Sequence, residues 1–275
     1  MKKLLLGAFA SLLVMSSANA ADLAQPDVVQ APQEVQVAST SGWYLRGDVG
    51  YNYNSIRGAN YFQGSNSNLH DFDTAKQGGT GTIGGGIGYQ VNNYLRTDLT
   101  IDYGFRSTFT GSTSGSCGVA AACVSRDIAH LTTLSLLANA YAELGTYGSV
   151  TPYVGAGIGG THVSWDGLNN TACDVSNPSS CDTSVQHDGR ESWRFTWALM
   201  AGASVDLTCN LKADVGYRYR HVSGGDMFGY KLNGGPGYDK GFDIHEARVG
   251  LRYQFGDGGC GQVAYAPPAP MPVYK

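Results

Sequence analysis

Charge is scarce in this chain. Only 15% of its 275 residues are Asp, Glu, Lys or Arg, against about 25% in typical soluble domains. The net charge of −4 gives no reason to expect a nucleic-acid partner. Beyond the first residues no run of about 18 apolar residues occurs, so no helix is expected to cross a membrane, and a membrane role would have to rest on strands. No C-x-x-C pair or Cys/His spacing offers a zinc framework, and no other cofactor is expected.

Glycine and tyrosine are plentiful, at 39 and 17 residues. "MKKLLLGAFASLLVMSSANA" has Lys2 and Lys3, then an apolar run from Leu4 to Met15, then the small residues Ala18-Asn19-Ala20. That order is an export signal over residues 1–20. Residues 21–41, rich in Ala, Gln, Val and Pro without a period, are expected to be a periplasmic linker.

From Trp43 the chain alternates with period two, the pattern of strands. Trp43, Leu45, Val49, Tyr51 and Tyr53 share one face, and Arg46, Asp48, Asn52 and Asn54 the other. The division recurs over 94–106, 193–207, 211–222 and 244–255, with weaker runs at 79–90, 130–143 and 150–163. The connections alternate: 55–78, 107–129, 164–192 and 223–243 are long, whereas 91–93, 144–149 and 208–210 are short. Antiparallel neighbours with tight turns at one end and long loops at the other predict an all-β fold, an eight-stranded antiparallel up-and-down transmembrane β-barrel over residues 42–256.

Two G-x-G-x-x-G spacings, Gly79/Gly81/Gly84 and Gly155/Gly157/Gly160, fall inside these strands. A dinucleotide loop requires a helix to open at the third glycine, and no helical period follows, so no nucleotide site is expected. Small residues on one face instead leave room inside a narrow barrel for large side chains of other strands.

A soluble barrel would turn the apolar face inward, and a membrane barrel turns it outward. Three features favour the membrane. An export signal accompanies a chain without spanning helices, and closed barrels satisfy their backbone in lipid. Trp43, Tyr89, Tyr94 and Phe255 collect near the short turns, while Tyr53, Tyr103, Phe105, Trp193 and Tyr219 collect towards the long loops, as two interfacial girdles do. Ten residue steps from Trp43 to Tyr53 cover roughly 25 Å at a tilt of about 40°, the height of the apolar band.

The charged face then lines the interior. Its cations are Arg46, Arg96, Arg106, Arg194, Lys212, Arg218, Arg220, Arg248 and Arg252, and its anions Asp48, Asp98, Asp102, Glu143, Asp206, Asp214 and Glu246. Near balance suits a buried salt-bridge core, because an unpaired charge in a narrow lumen is costly; an ion-selective constriction would use the same residues. Six cysteines in an exported chain suggest disulfides. In the meander, Cys117 with Cys123 and Cys173 with Cys181 each lie in one loop, and Cys209 with Cys260 would meet beside neighbouring strands.

"GWYLRGDVGYNYN", "TPYVGAGIGG", "LKADVGYRYRHVSGGDMF" and "HEARVGLRYQFG" resemble the alphaproteobacterial outer-membrane β-barrel family of RopB-type surface antigens, within the porin-like, opacity-protein superfamily. The resemblance implies an outer-membrane location and a role in envelope integrity and as a surface antigen. It also implies a terminal aromatic read by the barrel-assembly machinery, here Phe255, although the Pro-rich residues 257–275 follow it. That stretch is expected to be an extended periplasmic tail.

Three functions follow. The first is a non-catalytic structural and surface barrel. Its partners are outer-membrane lipid and lipopolysaccharide, with peptidoglycan or a host surface as further candidates. The second is a small porin-like channel. The third is a lipid A-modifying enzyme, because His162/Ser164 and His221/Ser223 are H-x-S pairs on one outward face, and a hydroxyl nucleophile needs a nearby base. The acidic third loop, with Asp166, Asp174, Asp182, Asp188 and Glu191, offers no convincing metal set.

Overall fold

A computed structural model describes residues 41–63, 68–232 and 234–256. The expected export signal, nearly all of the linker, the tail and Cys260 lie outside the described residues. The long strands are β1 (Gly42–Ile56), β2 (Thr80–Gln90), β3 (Leu95–Ser112), β4 (Cys123–Glu143), β5 (Val150–Trp165), β6 (Glu191–Asp206), β7 (Leu211–Val222) and β8 (Phe242–Gln254). Each pairs antiparallel with its neighbours in sequence. The ring closes where β1 meets β8, from Tyr44 opposite Gln254 to Ile56 opposite Phe242.

Alternation sets which side chain faces where. Outward positions carry Trp43, Leu45, Val49, Leu99, Ile101, Leu199, Val249 and Leu251, all exposed. Inward positions carry Arg46, Asp48, Arg96, Asp98, Asp102, Arg218 and Glu246, all buried. Glycines make this packing fit: a Cβ on Gly84 would strike the Asp102 carboxylate, and one on Gly88 the Tyr44 ring. The glycine-rich runs that imitate nucleotide loops are thus strands β2 and β5, thinned to admit the side chains of β1, β3 and β4.

The outward-facing rings stand at both edges of the apolar band. Trp43 packs edge-on against Tyr89 at 5.3 Å, and Tyr253 against Phe255 at 5.4 Å, near the short turns. Tyr103 meets Phe105 at 5.4 Å and Trp197 meets Tyr219 at 5.3 Å towards the long loops.

The long connections carry strands of their own. β3 and β4 run for 18 and 21 residues, well past the ~10 that span a bilayer. Strand Thr74–Gln77 pairs with the far end of β3. Leu168–Asp174 pairs with the far end of β4 and with Val185–His187. A separate four-stranded sheet joins the first and last loops in the order Gly225–Phe228, Gly234–Asp239, Ala59–Gln63, Asn68–Asp71. The wall therefore continues outside the membrane.

Its interior changes character there. Phe109, Leu131, Val163, Trp165, Leu168, Met227, Phe228, Phe242 and Ile244 form one buried apolar cluster, with Tyr61 and Phe72 packed on it. Phe109 meets Trp165 at 5.7 Å and Phe72 at 5.9 Å. The external end of the lumen is filled by an oil-like plug.

Candidate functional site at the lumen and external mouth

The membrane-embedded lumen is a charged network drawn from several strands. Arg46 donates to Asp48 at 2.8 Å and to Asp98 at 2.8 Å, and Asp48 also binds Arg248 at 2.6 Å. Arg218 bridges Asp102 at 2.8 Å and Glu246 at 2.7 Å, while Arg220 reaches Glu246 at 3.2 Å and donates to Ser135 at 3.0 Å. Arg96 binds Glu143 at 3.0 Å and lies 3.8 and 4.6 Å above the rings of Tyr141 and Tyr153. Arg252 contacts Glu143, Asp214 and Ser204. Lys212 and Asp206 pair at 2.6 Å, partly exposed, at the short-turn end.

One expected interior charge is outside. Arg106 is 60% exposed and pairs with Asp166 at 2.6 Å and with His130. The cause is a β-bulge between Gly104 and Ser107. It spends two residues against one partner, so Phe105 and Arg106 both face outward and the alternation restarts one step late. Arg194 is inside, but its partner is a residue the sequence reading missed. Both carboxylate oxygens of Asp239, in the last loop, accept from Arg194 Nη1 at 2.7 Å, and one also accepts from the Trp165 indole at 3.2 Å. With Arg106 removed and Asp239 added, the set expected from alternation becomes eight cations and eight anions.

Arg96, Arg218 and Arg220 are at most 1% exposed. Side chains lining a water-filled channel would be wet, and these are packed.

Above the plug the loops enclose a cup of about 560 Å³. Phe72 and Phe228, at the top of the plug, contribute to its lining. In its wall, Thr113 donates its backbone N–H to Ser125 Oγ at 2.9 Å, and Ser125 donates to Asp127 at 2.5 Å. Asn170 donates to the other Asp127 oxygen at 2.6 Å. Asp127 is wholly buried, and burial pushes its carboxyl above the ordinary range. His187 is pulled below the usual imidazole range, also by burial; its Nδ1–H donates to the Gly229 carbonyl at 3.1 Å. Asp182 accepts from the Gly118 N–H at 3.0 Å, tying the second loop to the third.

Disulfides close Cys117–Cys123 and Cys173–Cys181, the first lining the cup. Cys209 is disulfide-bonded, and Cys260, which the sequence pairs with it, lies outside the described residues.

The two H-x-S pairs face outward, and each has an acid nearby that sequence spacing did not reveal, because it comes from an adjoining strand. Ser164 donates to Glu191 at 2.7 Å and His162 lies 3.8 Å from it; His221 Nδ1 is 2.7 Å from Asp243. In neither pair does the histidine hydrogen-bond its serine. Same-face residues two apart on a strand stand about 7 Å from one another, and here the carboxylates take the contacts instead. Among the described residues no cluster of His, Cys, Asp and Glu could hold a metal ion.

A closed ring of lipid-facing strands around a packed polar lumen, with long connections on one side only, defines an outer-membrane β-barrel. Residues 8–255 match the family described as "Outer membrane protein beta-barrel domain", and the chain belongs to it. An uncharacterized protein of Brucella abortus (strain 2308) is 37% identical over 277 residues, covering 88% of this chain and 94% of the relative. A protein of Rickettsia bellii (strain OSU 85-389), whose name proposes it as an adhesin, is 26% identical and covers 92% of this chain and 99% of its own length. The crystal structure of Neisserial surface protein A is 18% identical, covers 78% of this chain and 99% of its own, and superposes with a TM-score of 0.43. The protein resides in the outer membrane of a Gram-negative envelope, among its lipid and lipopolysaccharide.

Proposed function

We propose that this protein is a non-catalytic structural and surface barrel, which strengthens the envelope and meets external partners through its loops. The observation that carries this reading is the doubly filled interior: buried arginines and carboxylates within the membrane, and an apolar plug beyond it. A barrel built to conduct would leave that space to water. The loops are joined by strands and disulfides, which supports a fixed contacting surface rather than a gate. The adhesin named among the relatives points the same way.

The test begins with purified protein run unboiled and boiled in SDS, where a heat-dependent shift reports the closed barrel. Folded protein placed in a planar bilayer is expected to give no discrete conductance; reproducible steps would restore the channel reading. Cells lacking the protein are expected to become sensitive to detergent and to bind a host-cell layer less well. Replacing His162, Ser164, His221 and Ser223 by Ala is expected to leave the lipid A mass spectrum unchanged, and loss of a deacylated species would revive the enzyme. Phe255, at the end of β8, is the expected handle for the barrel-assembly machinery, and residues 257–275 the expected reach towards peptidoglycan.

A further inference from the structure

We propose that the cup at the external mouth is a saccharide site, one that takes an uncharged or amine-bearing sugar and turns away sulfated or phosphorylated ones. The proposal rests on the reading that the loops are the contacting surface, and it names what they contact.

Three observations converge on that chemistry. The first is size and shape: a concavity of about 560 Å³ lies in the range that encloses a small ligand. The second is the division of its lining. Tyr61, Phe72 and Phe228 supply aromatic surface, of the kind against which the C–H face of a pyranose ring packs. The lining also holds a chain of directed polar groups. Thr113 donates to Ser125, Ser125 to Asp127, and Asn170 to Asp127. Because Asn170 spends one amide hydrogen on the buried Asp127, its second amide hydrogen and its carbonyl oxygen have fixed directions. A sugar carries a hydroxyl on nearly every carbon, and each must find a partner on leaving water. A wall of fixed donors and acceptors beside an apolar face answers both demands of such a molecule.

The third observation is charge. Among the described residues that line the cup, Asp127 and Asp182 are acidic and none is Lys or Arg. His187 also lines it, but burial lowers its affinity for a proton, so it brings no positive charge at neutral pH. A sulfate or phosphate entering this space would lose its hydration near the partly exposed Asp182 carboxylate, with no lysine or arginine in the lining, which is unfavourable at low dielectric. An amine would meet the opposite situation. The Asp182 contact to Gly118 and the Cys117–Cys123 disulfide hold the rim in place, so little ordering cost accompanies binding.

The experiment uses the full protein in detergent micelles and calorimetric titration with four probes: N,N′-diacetylchitobiose, lactose, glucosamine and a heparin-derived sulfated disaccharide. At least one of the first three is expected to bind saturably, and the sulfated disaccharide to bind at least about tenfold more weakly. Thr183→Trp, which fills the cup from its rim, is expected to abolish binding. Asn170→Ala is expected to weaken it about tenfold by removing one directed donor. Both variants are first shown to keep the heat-dependent gel shift. The proposal is overturned if no uncharged or amine-bearing probe saturates the folded protein. It is equally overturned if the sulfated probe binds as well, or if Thr183→Trp leaves binding intact. Parallel titrations with glycoprotein-coated surfaces and with purified lipopolysaccharide separate a host sugar from one of the bacterium's own envelope. Loop-dependent binding to host cells that survives Thr183→Trp would sink the saccharide site and leave the surface reading standing. Absence of loop-dependent binding to any cell would sink the surface reading itself.

Discussion

Inside the membrane this barrel is polar within and apolar without; a few residues further along the same strands, the order is reversed. β3 shows both states. Arg96, Asp98 and Asp102 point inward over its first part, and Ser107, Phe109 and Gly111 over its last. β4 does the same, with Ser135 and Asn139 inward at one level and Ala129 and Leu131 at the other. The difference follows from what lies outside the wall. Where lipid covers the exterior, apolar residues gain nothing by turning inward, and the lumen is free to hold ions that neutralise one another. Where water covers the exterior, burying apolar area stabilises by roughly 25 cal/mol per Å², and the lumen becomes an ordinary hydrophobic core. One wall is stabilised by two kinds of filling, and the filling changes at the bulge that turns Arg106 out of the lumen.

The comparison can be tested by damaging each filling separately. Arg218→Ala is expected to have the largest effect. It leaves the buried Asp102 without its ion pair and Glu246 with Arg220 alone, and should cost about 3–5 kcal/mol, read as a lower urea midpoint for barrel unfolding in lipid vesicles. A cost below about 1 kcal/mol would mean that water reaches the lumen after all. Phe109→Ala opens a cavity in the plug and should cost about 3 kcal/mol, but locally. Proteolysis of the loops should accelerate while the unboiled gel band stays folded; simultaneous loss of that band would show the two fillings to be one cooperative unit. Replacing Cys173 and Cys181 by Ser should loosen the third loop by about 2 kcal/mol, seen as faster amide exchange over 168–187 with no change in β4 to β8 within the membrane.

The smallest effect is that of pH on the outer region. Asp127 has a raised carboxyl pKa in the fold, so folding favours its protonated form. The associated stability is complete below the usual carboxylate range and is lost as pH rises through the raised value. The loop assembly of the native protein should therefore loosen slightly across that window. Asp127→Asn should flatten the dependence, measured as loop proteolysis rate against pH. A curve unchanged by the substitution would assign the effect to another group.

Much of this was legible from spacing alone. Eight strands, their order and which residues face lipid all follow from period-two patterning, because a single register slip would turn every side chain over. What spacing could not show is where that period is interrupted. Arg106 sits in phase with Asp102 on paper, and only the extra residue of the bulge turns it outward. The plug escaped for a related reason. Strand signals at 107–112, 123–129 and 164–165 were absorbed into long loops, since there the apolar residues fall on the face that is charged elsewhere. Phe109, Ala129 and Leu131 alternating with Thr108, Thr110 and His130 was the available sign. Asp239 and Asp243 lie far in sequence from Arg194 and His221, and pairing across strands is invisible without a register.

The seam of the barrel has a mechanical consequence. β1 ends and β8 begins on the outer side, so a pull on the loops would open their ladder from the top, one rung at a time, as a zipper opens. Here the ladder does not stop at Ile56 and Phe242. Arg57 N–H donates to the Gly241 carbonyl at 2.9 Å and Lys240 N–H to the Gly58 carbonyl at 2.9 Å, and pairing then continues from Ala59 opposite Asp239 to Gln63 opposite Gly234. The first rungs to take tension are thus outside the membrane. A load on the loops would spend those rungs before any hydrogen bond facing lipid is strained.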